Sequence, residues 1–173
     1  MPNPAESPFS LLGVEPRFDL DVRRLRIAWM QRAAVAHPDA AGAVEASTSV
    51  NDAYRLLLDP IERARALLAV LQAPSVDERR LPEGFLMEMV ELRERADQET
   101  EEGRTGLLAE ARERREAALS EIGSIFEGTR RAVGQGTTLG PPSAEDTQAI
   151  HVQLNVVRAF DRMLEQLERE GSS

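Results

Sequence analysis

The chain has 173 residues, 42% hydrophobic, 4% aromatic and 29% charged, with two histidines and no cysteine. That length allows one domain or two small ones, and the Ala-, Leu-, Arg- and Glu-rich mix predicts helices around an aliphatic core. Disulfides, thiolate catalysis and thiolate metal sites are excluded, and His37 and His151 are too few for a histidine-rich metal site. All 21 basic residues are arginine, which excludes a Schiff-base or phosphate-loop lysine. The net charge of −9 is uneven: residues 1–72 carry 9 acids and 8 bases, residues 73–173 carry 21 acids and 13 bases. So acidic a second half argues against nucleic acid and anionic membrane as partners. No apolar run approaches the roughly 18–20 residues of a spanning helix. The first residues lack the basic and apolar regions of a secretory signal, so a cytoplasmic protein is expected.

In chain order, Ser7-Pro8 opens a short helix with Ser7 as N-cap and Pro8 at its first position, and Gly13 closes it. Asp19 or Asp21 caps a second helix to about Ala36, in which Val22, Leu25, Ile27, Trp29 and Val35 alternate with Arg23, Arg24, Arg26 and Arg32. Pro38 disfavours helical geometry at His37 and ends it. The stretch Ala40 to Ser47 reads as small and flexible. Ser47, Thr48 or Ser49 caps a third helix through Leu58, and Asp59-Pro60 restarts a fourth, Ile61 to Leu71. Trp29 and Tyr54 are expected in the core. A polar, proline-flanked stretch then reads as a linker. Three longer patterns follow, about Pro82 to Glu101, Thr105 to Gly134 and Ser143 to Glu170. Their short connections predict an antiparallel three-helix bundle. The run Glu110 to Glu121 reads as a solvated face with i, i+4 pairs, and His151 as a surface or half-buried residue.

Between the second and third helices stands His37-Pro38-Asp39. One reading is a docking turn: a histidine satisfying the last carbonyls of a helix, a proline stiffening the turn, and an aspartate offered to a partner's arginine. The other is a helix stop with ordinary surface polars. A catalytic His–Asp pair has no nucleophile beside it. A second candidate lies in the first bundle helix. At about 100° per residue, Phe85, Met89, Leu92 and Ala96 share a narrow stripe sufficient for a core face. Leu86, Met87 and Val90 fall outside it, among Glu91, Arg93, Glu94 and Asp97. Either these form a binding patch, or the core face is wider and they pack against a neighbour.

Residues 9–71 resemble a J-domain, through Phe9-Ser-Leu-Leu-Gly-Val14, the Arg-bearing second helix, His37-Pro38-Asp39 and Val50-Asn-Asp-Ala-Tyr-Arg-Leu-Leu57. The extension Asp59-Pro-Ile-Glu-Arg-Ala-Arg-Ala-Leu-Leu68, with Phe85-Leu-Met-Glu-Met-Val-Glu-Leu-Arg-Glu94, resembles the HscB group of J-type co-chaperones. The resemblance implies an all-α protein: a J-domain (a helical hairpin with flanking short helices) over 7–72, a linker over 73–81 and a C-terminal antiparallel three-helix client-binding bundle over 82–171. It implies that the loop His37, Pro38, Asp39 and the basic face Arg24, Arg26, Arg32 engage a heat-shock chaperone of HscA or DnaK type and stimulate its ATPase. It implies that Leu86, Met87, Val90, Glu91, Arg93 and Glu94 hold an IscU-type iron–sulfur scaffold, with Val156 where the family has an aromatic. No catalytic residue, metal ligand or cofactor is implied. The chain departs from the family just before the loop, where Ala34, Val35 and Ala36 replace a basic residue and an aromatic, and just after it, at Ala40-Ala41. The residues leave two further readings: a J-domain serving a different client, and a degenerate J-domain acting only as a helical interaction module.

Overall fold

The computed structural model describes residues 7–35, 43–98, 101–132 and 140–170. Among them every regular element is a helix: α1 (Pro8–Leu12), α2 (Val22–Val35), α3 (Ala43–Leu58), α4 (Pro60–Val70), α5 (Phe85–Gln98), α6 (Glu101–Ala132) and α7 (Ala144–Glu170). They fall into two compact units, Met1–Pro74 with Phe126–Ser143, and Ser75–Ile125 with Ala144–Ser173.

The first unit is built from well-capped short helices. Ser7 caps α1 by accepting from the Ser10 amide, and Gly13 ends it in the left-handed region at φ 68°. Asp21 caps α2, its carboxylate accepting from the amides of Arg23 at 2.8 Å and Arg24 at 3.3 Å. Asp59 caps α4 by accepting from Ile61 and Glu62, with Pro60 at the first position where its missing N–H costs nothing. α3 begins at Ala43, several residues before the expected hydroxyl caps. Ala43, Glu45 and Ala46 are strong helix formers, so the helix propagates through a stretch that reads as flexible by residue size alone. α2 and α3 form the hairpin, and α1 packs on both. Phe9, Leu12, Leu25, Leu57, Ala64 and Leu67 make the centre of this core.

Trp29 and Tyr54, expected in that core, are only half buried. They stack on each other at 5.0 Å between ring centroids, and the Trp29 indole N–H donates to Asn51 Oδ1 at 2.8 Å. A ring carrying a polar group is easier to satisfy at the core's edge than at its centre.

A charged residue does enter the interior. Arg63 is buried, and its guanidinium donates to the carbonyls of Leu57 at 2.7 Å, Phe18 at 3.0 Å and Leu58 at 3.2 Å. It lies 5.8 Å from the centre of the Phe18 ring. Desolvation lowers its pKa from the usual arginine value, against the opposing pull of Asp59 and Asp19. The α3–α4 junction and the loop before α2 are thereby tied together by one side chain. Phe18 also stacks on Phe126 at 5.7 Å. The chain from Phe126 groups with this unit, although the sequence reading has it in the bundle.

The second unit has an aliphatic core with one aromatic pair. Phe85 meets Phe160 edge-on at 6.0 Å, among Leu92, Leu107, Ile122, Ile150, Leu154 and Val157. Ion pairs report the helix directions. Glu110 and Arg114 of α6 pair with Arg95 and Glu88 of α5, and Arg112 and Arg115 pair with Glu168 and Asp161 of α7. As α6 ascends, its partners on both neighbours descend, so α6 is antiparallel to each. The expected solvated face of α6 is therefore an inter-helix seam. Long side chains at the edge of a bundle reach the next helix as readily as the next turn. At Arg115 partial burial works against the charge, but the hydrogen bond and charge of Asp161, with Glu116, outweigh it and raise the pKa. His151 is half-buried.

Candidate functional site

His37, Pro38 and Asp39 lie outside the described residues. The helix leading to them presents one outward face. Projected at about 100° per residue, Arg23, Arg24, Ile27 and Met30 of α2 share an arc opposite Leu25 and Trp29, with Arg26 at its edge. The side chains agree: Arg23, Arg24 and Arg26 are exposed, and Ile27 and Met30 are 55% and 54% exposed. Arg32 does not join them. It sits on the Leu25 side, its guanidinium over the end of α1, where a Cβ built on Gly13 would stand 2.6 Å from Nη2. The outward basic face is thus Arg23, Arg24 and Arg26, interleaved with two aliphatic side chains. The sequence pattern names Ile27 and Arg23 without assigning either a side, leaves Arg23 out of the basic face, and does not include Met30. The rotation between Leu25 and Ile27 was the available signal.

The bundle places the second candidate set in three ways. Leu86, Met87 and Val90 are 68%, 64% and 50% exposed, whereas Phe85, Leu92 and Ala96 on the inner stripe are buried; Met89 is intermediate. Apolar side chains of this size left in water on one helix form a patch, not a wider core face. Leu86, Val90 and Arg93 also line a groove of about 790 Å³ between α5, α7 and the segment around Arg79. Met87, Glu91 and Glu94 are exposed outside that lining. Val156 does neither: it is 8% exposed, in the core, and Ala159 and Met163 are among the α7 residues that face the groove. The shift of three positions from Val156 to Ala159 falls about 60° short of a full helical turn and exchanges a core position for a groove position.

The groove wall is held in place by side chain to backbone bonds. Asn155 donates to the carbonyls of Glu78 at 2.8 Å and Arg80 at 3.0 Å, and Gln148 donates to Asp77 at 2.8 Å. These fasten the segment before α5 along α7. Farther along, Arg93 donates to Gln166 at 2.8 Å, bridging α5 to α7. Chemically the site offers apolar area, guanidinium groups and carboxylates. Among the described residues, no group of three or more His, Cys, Asp or Glu side chains could hold a metal ion, and no helix is long and apolar enough to cross a membrane.

No family model matches the chain. A co-chaperone protein HscB homolog of Bordetella avium is 36% identical over 134 residues, spanning 68% of this chain and 80% of that protein. The chain belongs to the HscB co-chaperone family. Solved structures carry the same fold. The human co-chaperone protein HscB superposes with a TM-score of 0.76 at 22% identity, over 98% of this chain and 84% of that one. The chaperone HscB from Vibrio cholerae superposes with a TM-score of 0.72 at 21% identity, over 96% of this chain and 98% of that one. This HscB-family chain is therefore an all-helical protein with a J-domain and a C-terminal helical bundle, and its two candidate surfaces lie one in each unit.

Proposed function

We propose that this chain is a J-domain co-chaperone of iron–sulfur cluster assembly. It stimulates ATP hydrolysis by a heat-shock chaperone of HscA or DnaK type and delivers an IscU-type scaffold protein to it, in the cytoplasm. The observation that carries this reading is the exposure of Leu86, Met87 and Val90 on α5 in a chain of the HscB family. Covering those side chains is worth on the order of 3 kcal/mol, enough to hold a client when charged neighbours set its orientation. Glu91, Arg93 and Glu94 supply those charges. The J-domain, over 7–72, meets the chaperone through Asp39, which accepts from a partner arginine, and through Arg24 and Arg26. Pro38 holds the turn and His37 fixes its geometry. Docking favours the chaperone's hydrolysis-competent state by binding it more tightly, and no bond is made or broken by this chain.

The test is single-turnover ATP hydrolysis by the chaperone, with and without this protein and with and without the scaffold. Stimulation that rises further with scaffold is the expected result. Stimulation indifferent to scaffold means a different client, and no stimulation from folded protein means a helical interaction module. Asp39→Asn is expected to abolish stimulation while leaving the helical circular dichroism and melting temperature unchanged.

A further inference from the structure

The groove beside the patch has a charge opposite to its surroundings. Residues 73–173 carry 21 acids and 13 bases, yet the groove is rimmed by Arg79, Arg93, Arg158 and Arg162 against only Glu78 and Asp97. Its floor is apolar, formed by Phe85, Met89, Met163 and Leu167. The cations are not evenly spread. Phe85 meets Phe160 and Arg93 meets Gln166, so α5 and α7 ascend together. Asn155 is bound to the backbone on either side of Arg79. Arg79, Arg158 and Arg162 therefore gather toward the N-terminal end of α5. Among the described residues no ion pair engages the side chain of Arg79 or Arg162. From Leu86 to Asp97 the groove follows α5 for about 17 Å, three helical turns.

The geometry points to an acidic amphipathic segment of the client protein as the occupant of this groove: apolar side chains against the floor and carboxylates toward Arg79 and Arg162. This rests on the reading of the bundle as the scaffold-binding unit. It adds that the scaffold is held by two surfaces meeting at Leu86 and Val90, the outer apolar patch and a cationic groove. Opposed charges across such a contact fix the orientation of the client and speed its capture.

The test is isothermal titration of the purified IscU-type scaffold into the full chain at low and physiological salt. The chains compared are wild type, Met87→Ala, Arg79→Glu with Arg162→Glu, and Ala159→Trp, each shown to melt as wild type does. The charge reversal is expected to weaken binding at least about tenfold at low salt and to flatten the salt dependence, because exposed charges are screened within about 10 Å at 0.1 M salt. Ala159→Trp, which fills the groove without changing charge, is expected to weaken binding at both salts. If wild type binds and Met87→Ala weakens it, but the reversal and Ala159→Trp stay within about twofold, the groove is empty in the complex and this inference fails alone. Tighter binding by the reversed chain overturns it too, since the segment is then basic. No binding by wild type overturns the scaffold reading and this inference with it.

Discussion

The two units use arginine, the only basic residue in the chain, in opposite ways. In the first, Arg63 is taken out of water and its donors are spent on three backbone carbonyls. In the second, Arg95, Arg112, Arg114 and Arg115 lie along the edges of a bundle and bridge helices through carboxylates. A buried donor left without its acceptors, or acceptors without their donor, carries a full desolvation penalty. An exposed pair carries almost none, because water replaces either partner. Both units rest on apolar cores, but the first adds one buried arginine that is hard to replace, and the second adds ion pairs that only trim its core.

The largest effect that separates them is at Arg63. Arg63→Met keeps most of the volume and strands three carbonyls, and is expected to cost about 3 kcal/mol. Urea unfolding followed through Trp29, the one tryptophan and a resident of the same unit, reads it directly. A loss under about 1 kcal/mol means that water serves those carbonyls as well as the guanidinium does, and the contrast between the units collapses. In the bundle, Arg115→Ala is expected to cost about 1 kcal/mol and Arg112→Ala under about 0.5 kcal/mol. The Arg115–Asp161 side chains are 23% and 34% exposed against 58% and 55% for Arg112–Glu168. Thermal melts at low salt and at about 1 M salt test this, since the exposed pair should lose its effect first. Equal costs would show that burial does not grade the seam.

A smaller effect sharpens the picture inside the first unit. α1 and α4 end in the same hydrogen-bond pattern: Gly13 and Val14 donate to Ser10 and Phe9, and Gln72 and Ala73 donate to Ala69 and Leu68. The left-handed residue is glycine in one and glutamine in the other, at φ 68° and 53°. Gln72→Gly is expected to stabilise by about 0.5 kcal/mol, the side chain's steric cost less the entropy glycine loses on folding. Gly13→Ala is expected to destabilise by more than that, because φ 68° strains any side chain there and the guanidinium end of Arg32 must also move aside. A destabilised Gln72→Gly chain would mean that the glutamine side chain holds this turn.

Caps were legible because each is a local contest: Ser7, Asp21 and Asp59 outcompete water for helix-end amides. The inner stripe of α5 was legible from its period. Three things were not. The start of α3 depended on propensity in residues that also suit a loop. The seam of α6 depended on which helix each arginine faced, and the pattern within one helix does not say. Nothing in the local pattern marks Arg63 as buried, since one of its three carbonyl partners comes from Phe18, 45 residues away. At the site, the exposure of Leu86 and Val90 followed from rotation about one axis. The burial of Val156 and the cationic groove needed the relation between two axes.

The smallest expected effect on stability is also the sharpest test of the patch. Leu86→Gln should change the unfolding free energy by less than about 0.5 kcal/mol, because the side chain is 68% exposed and already in water. Leu92→Ala, two turns along the same helix and 3% exposed, should cost about 3 kcal/mol. If the patch exists for a partner, Leu86→Gln must still weaken capture of the scaffold by about tenfold. A side chain that matters to binding and not to folding has no structural reason to be apolar. If Leu86→Gln instead lowers stability as Leu92→Ala does, Leu86 is covered in the folded protein, the core face of α5 is wide, and the bundle has no free apolar surface there for a client.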